Sequence, residues 1–243
     1  MNTRTSSALV VAGVFVASVL TAEAQTPPPA KRIFVDVNLA VQPSARTFQI
    51  DASPQVYGEA AIINALQGVD GAGLLDVSAG YRVWRNVSLS LGLTTTMTSS
   101  GEAAVKGGIP HPVFFDTRLE SITTVTDLHH KERSAHLSVM WTSPVTDRID
   151  ASVSAGPSFV KVFQDLVTEV TVSPGTQSFT PVDVKQTATK LGVHFGGEVT
   201  YLLTPRIGVG GMFRFVKAKV DLPSVPALDA AGVQYGGGVR LRF

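Results

Sequence analysis

The side chains most able to do chemistry here are the five histidines, and their spacing limits what they can do. His129 and His130 are adjacent, with Asp127 and Glu132 nearby and His111 upstream, so metal binding is the first chemistry to weigh. That set matches none of the usual ligand spacings. The chain has no cysteine, which excludes a thiolate zinc site, a thiol nucleophile and a disulfide framework. His194 and Glu198 are four residues apart in an alternating segment, ~13 Å along a strand and too far to share an ion. Ser134 and His136, with His130 close by, offer a hydroxyl and a base, yet no catalytic motif surrounds them. Gly208, Gly210 and Gly211 lie together as in a phosphate loop, but no helical pattern follows to complete one. The residues predict no catalytic site, no metal and no cofactor.

The elements that carry these residues are strands. Ile33, Val35, Val37, Leu39 and Val41 share one face, while Asp36, Asn38 and Gln42 share the other. The same alternation recurs at 75–83, 87–94, 135–141, 149–156, 191–201, 207–215 and 233–243. Each run is roughly 10 residues, the length a tilted strand needs to cross a bilayer. Connections alternate between short turns at 84–86, 144–148 and 204–206 and longer segments at 43–72, 98–132, 163–188 and 220–229. That sorting belongs to a membrane barrel, with turns on one side and loops on the other. Only 16% of residues are charged and the net charge is +1, so no basic field for nucleic acid exists. The non-apolar face is rich in glycine and serine rather than lysine and glutamate, which suits a crowded lumen better than a solvated surface. The expected fold is all-β: an eight-stranded antiparallel up-and-down transmembrane β-barrel over 33–243.

Residues 1–24 read as a secretory signal peptide, with Arg4, a short apolar run at 8–20 and small residues around 22–24. Residues 25–32 form a Pro-rich lead. The chain ends on Tyr235, Val239, Leu241 and Phe243 in alternation, with phenylalanine last. This ending resembles the C-terminal insertion signal of Gram-negative outer-membrane barrels. The whole resembles eight-stranded barrels of the OmpA, OmpX and OmpW kind. The resemblance implies an outer-membrane location with both termini periplasmic, and recognition of the last strand by the barrel-insertion machinery. Outer-membrane lipids, with lipopolysaccharide among them, are the expected partners, and a monomer is the expected state. The expected role is non-catalytic, structural or interactive through long extracellular loops. A narrow solute or ion channel and a lipid-modifying enzyme are the alternatives.

Eight strands leave an interior just wide enough for side chains. Inward parity collects Asp36, Asp76, Arg82, Asp150, Glu198, Arg214 and Arg240 there, and buried charges must pair. Register from the 204–206 turn predicts a Glu198–Arg214 ion pair, and barrel closure brings Asp36 to Arg240. Pro157 inside a strand predicts a bulge near Gly156. Phe34, Tyr81, Trp84, Trp141, Tyr201 and Phe243 are expected as an aromatic girdle. Outward parity sets Arg133, Lys161 and Lys217 about 25–30 Å above the short turns, at the height of outer-leaflet phosphates. Segments 46–63 and 113–126 are β-prone; simple loop structure is the expected reading, and an extension of the wall as an exposed sheet, able to pair with an extracellular partner that the residues do not identify, is the alternative.

Overall fold

The computed structural model describes residues 32–43, 46–97, 99–173, 178–222 and 228–243. The signal peptide and most of the Pro-rich lead lie outside the described residues. Among the described residues there are fourteen strands: β1 (Ile33–Gln42), β2 (Arg46–Ala52), β3 (Gln55–Val56), β4 (Glu59–Ala60), β5 (Ile62–Val69), β6 (Ala72–Trp84), β7 (Val87–Thr96), β8 (Ser99–Pro110), β9 (Arg118–Pro144), β10 (Ile149–Ser173), β11 (Ser178–Leu202), β12 (Ile207–Val220), β13 (Leu228–Ala230) and β14 (Val233–Arg242).

Eight of them close a ring. β1 pairs with β6, β6 with β7, β7 with β9 and β9 with β10. β10 then pairs with β11, β11 with β12, β12 with β14, and β14 returns to β1. Every pairing is antiparallel, and the closing seam sets Asp36 opposite Arg240. These strands coincide with the eight alternating runs of the sequence. Arg32 and Phe243 lie at the short-turn end, since the Arg82 N–H donates to the Arg32 carbonyl and the Phe243 N–H to Ile33.

The apolar face points outward. Leu89, Val139 and Phe213 are 49%, 56% and 47% exposed, while Asp36, Asp76, Asp150 and Arg240 are buried. Glycine makes room inside: at Gly80 a Cβ would lie 2.2 Å from the Phe34 ring. Phe34 therefore belongs to the lumen, not to the girdle, because it shares the inward parity of Asp36.

The expected bulge at Pro157 does not occur. β9 and β10 keep one register from Asp150–Pro144 to Gln164–His130, and pairing merely lapses at Gly156 and Pro157. The two strands press together there instead, and a Cβ on Gly156 would meet the Leu137 carbonyl oxygen at 1.9 Å. Proline's missing donor is absorbed by skipping ladder bonds rather than by inserting a residue.

The long connections are mostly sheet. β9, β10 and β11 run to 27, 25 and 25 residues, and a 25-residue tilted strand rises ~60 Å, twice an apolar membrane core. β8 pairs with the upper part of β9, β5 with β8, and β2 with β5. Together with the β10–β11 ribbon they enclose Ile50, Ile63, Val105, Leu128, Val162 and Leu166. The wall thus inverts its polarity partway up. On β12, Phe213 and Phe215 face outward below, whereas Lys217 and Lys219 face outward above, with Val216 and Val220 turned in. Surrounded by hydrocarbon the apolar side faces out; surrounded by water it faces in.

Candidate functional site

The lumen at the level of the apolar band is filled by charge-paired layers. In the lower layer Arg240 donates from Nε to Asp36 Oδ1 at 2.6 Å and from Nη2 to Asp36 Oδ2 at 2.9 Å. Its Nη2 also reaches Glu198 Oε2 at 2.8 Å, and its guanidinium lies 4.7 Å from the Phe34 ring centroid. Ser78 and Thr200 donate to Asp36 and Glu198. Asp150 pairs with Arg242, a lumen cation that the alternation could have identified from its even number. Among the described residues Arg82 forms no ion pair, although Asp150, Arg240 and Arg242 are its charged neighbours.

The next layer holds Arg214. Its Nη1 and Nη2 contact Asp76 at 2.6 and 3.3 Å, so the expected Glu198–Arg214 pair is replaced by Glu198–Arg240 and Arg214–Asp76. The register behind the expectation holds, with Glu198 opposite Met212. What overrides it is barrel width: a long side chain on β12 reaches Asp76 on β6, three strands round the ring.

Above Asp76 runs a chain of hydroxyls and imidazoles. Thr94 Oγ1 donates to Asp76 at 2.6 Å and lies 3.1 Å from His136 Nε2. His136 Nδ1 and His194 Nδ1 both lie 2.8 Å from Ser158 Oγ, and His194 Nε2 lies 2.8 Å from Ser138 Oγ. One set of directions satisfies them all. Ser138 donates to His194 Nε2, His194 Nδ1–H to Ser158, Ser158 to His136 Nδ1, and His136 Nε2–H to Thr94. Sequence parity places both histidines inward, but nothing in the spacing pairs His136 with His194 across β10. Ser134, the hydroxyl weighed beside His136, is turned inward and separate from this chain.

A collar closes the top, above the last outward apolar residues of β9 and outside its membrane-spanning part. Glu132 accepts from Arg46 Nη1 at 2.9 Å, Gln42 Nε2 at 3.0 Å and the Ala231 N–H at 3.2 Å. His130 Nε2 lies 3.1 Å from the same carboxylate. Burial opposes ionisation of Glu132, but His130, Arg46 and Gln42 together hold its pKa down at about 2. His111, His129 and His130 do not converge on one point, and among the described residues no group of three or more histidines and acids could hold a metal ion.

Of the three outward cations, the structure brings two together. Lys161 lies directly opposite Arg133, whereas Lys217 is on β12 opposite Val193. At the last strand Tyr235, Val239 and Phe243 are exposed on the outer face and Leu241 is half-buried.

No family model matches the chain, and no curated protein does. Solved structures do. Neisserial surface protein A superposes with a TM-score of 0.50 and 15% identity, over 89% of this chain and 100% of its own. Outer membrane protein OprG from Pseudomonas aeruginosa gives a TM-score of 0.51 and 14% identity, over 88% of this chain and 96% of its own. At that identity the likeness is one of fold, and it agrees with the closed ring, the outward apolar face and the sorted turns. The chain has the fold of the eight-stranded outer-membrane β-barrels.

Proposed function

We propose that this chain is a non-catalytic outer-membrane barrel of a Gram-negative cell, with Arg32 and Phe243 on the periplasmic side. Its lumen is sealed, and its working surface is the sheet that stands outside the cell. One observation carries this reading: Asp36, Glu198 and Arg240, and Asp76 and Arg214, pair across the lumen, and the cavity that Asp76, Glu198 and Arg214 help to line is about 30 Å³, room for one or two waters. An apolar core then lies above the collar. The outward Tyr235, Val239 and Phe243 suit reading by the insertion machinery.

The enzyme alternative has one feature in its favour, since Ser158 Oγ stands between two imidazoles. Against it, Ser158 is wholly buried and Asp76 reaches His136 only through Thr94, so no substrate carbonyl can approach. The surface reading is supported by the β8–β9 hairpin. Its tip exposes Val113, Phe114 and Phe115, the last by 81%. His111 Nδ1 accepts from the Val113 and Phe114 N–H groups at 3.1 and 3.2 Å, which holds that tip in shape.

Purified full-length protein in planar bilayers tests the seal. The expected record is a flat baseline, and steady single-channel steps would favour the solute channel instead. Unchanged lipid A acylation in a strain lacking the protein is expected, and a changed pattern would restore the enzyme reading.

A further inference from the structure

The outer face of β9, β10 and β11 carries a built cationic pocket just above the apolar band. Phe163, half-buried, forms its floor. The Arg133 guanidinium lies 5.5 Å and the Lys161 ammonium 5.0 Å from its ring centroid. Lys131 is opposite Phe163 on β9, and Lys185 comes from β11. His129, Lys131, Arg133, Phe163 and Lys185 line a cavity of about 210 Å³.

Two features make this arrangement incomplete without an anion. Like charges directly opposite each other destabilise a sheet, and Arg133 and Lys161 are such a pair. Among the described residues none of Lys131, Arg133, Lys161 and Lys185 forms an ion pair. Asp165, opposite Lys185 in register and of the same outward parity as Lys161 and Phe163, is buried and engaged by the His129 N–H at 3.2 Å and by His129 Nδ1 at 3.3 Å. Directly below, Phe159, Leu191 and Val193 are exposed and belong to the apolar band. A ligand seated here would set its charge among the four cations and its tails against that band.

We infer that Lys131, Arg133, Lys161 and Lys185 around Phe163 form a binding site for a phosphorylated glycolipid headgroup of the outer leaflet, the bis-phosphorylated glucosamine unit of lipopolysaccharide. The site rests on the orientation proposed above, and it holds two of the three outward cations expected from the sequence, because Lys217 lies outside it. Phosphate pairs with the guanidinium and the ammonium groups. Phe163 packs under a sugar ring and steers the cations toward it.

Native mass spectrometry of the full chain in detergent tests this, using bis-phosphorylated lipid A, its dephosphorylated form, phosphatidylglycerol and inorganic phosphate as probes. One lipid A is expected to stay bound, while the dephosphorylated lipid and phosphatidylglycerol are lost. A cation beside an anionic lipid surface is worth about a fivefold change in affinity, so K131Q/R133Q/K161Q/K185Q lowers affinity on the order of a hundredfold or more. K217Q and K106Q leave it unchanged. Heat-modifiable gel migration reports barrel formation separately, so loss of the site is distinguishable from loss of the barrel. If the quadruple variant does not form a barrel, K131Q/K185Q is read instead, with about a 25-fold loss expected. Equal retention of phosphatidylglycerol or dephosphorylated lipid, unchanged affinity in the variants, or displacement by inorganic phosphate would each overturn the assignment.

Discussion

Replacing Arg240 by methionine removes the one guanidinium that neutralises both Asp36 and Glu198. Asp36 and Arg240 are 1% and 3% exposed, so the stranded carboxylates have almost no water to turn to. Three charge-assisted contacts of 2.6, 2.9 and 2.8 Å are lost together with the stacking on Phe34. Breaking one partner of a buried pair costs about 3–5 kcal/mol, against a total stability of roughly 5–15 kcal/mol for a folded domain. At the middle of that range the folding equilibrium of R240M falls by about a thousandfold. Urea titration in lipid vesicles reads this directly, with Trp84 and Trp141, the two tryptophans of the chain, as fluorescence reporters. The triple variant D36N/E198Q/R240M, which removes all three charges, is expected to recover most of the loss, because it leaves no ion uncompensated. A single R240M variant within about 1 kcal/mol of the parent would refute the reasoning. It would mean that water solvates these carboxylates and that the lumen is not sealed.

Gly156→Val forces a side chain onto the Leu137 carbonyl, where even a Cβ would sit at 1.9 Å. Backbone displacement of this kind costs about 1–3 kcal/mol or more, and a lowered urea midpoint checks it; an unchanged midpoint would place β9 and β10 further apart than described. Glu132 has a folded pKa held down at about 2, against an ordinary 4.5. The carboxylate therefore stabilises the fold fully above about pH 4.5 and loses that contribution as pH falls toward 2, on the order of 3 kcal/mol in all. The chain with Glu132→Gln is expected to lose less stability over the same acid window, and equal pH dependence of the two would count against the collar.

The eight membrane strands are legible because alternation has a period of two and each apolar residue must find lipid. The Asp36–Arg240 pair is legible for the same reason, since closing the ring makes the first and last strands neighbours. Arg214 is different. Register describes adjacent strands only, whereas a narrow lumen lets β12 touch β6, so Arg214 finds Asp76 and leaves Glu198 to Arg240. Segments 46–63 and 113–126 show their β-propensity, and they do build β2, part of β5 and the top of β9. Their pairing partners and the apolar core they enclose follow from contacts that no local pattern encodes. One signal was available: at Val216, Lys217, Ala218, Lys219 and Val220 the alternation continues while its polarity reverses. Such a reversal marks the height at which the surroundings change from hydrocarbon to water. Phe34 shows the converse hazard, an aromatic near a strand end whose parity outweighs its position.

The reversal of polarity along β10 and β12 also sets how deep the protein floats. In the orientation proposed above, sinking by two residues, roughly 5 Å of vertical travel, would drag Arg133, Lys161 and Lys217 below the headgroups and submerge them in acyl chains. Rising by the same step would lift Tyr81, Trp84 and Tyr201 off their own boundary and expose the greasy belt. Both displacements are resisted, so the thickness of the surrounding bilayer has to adapt to the barrel rather than the barrel to it.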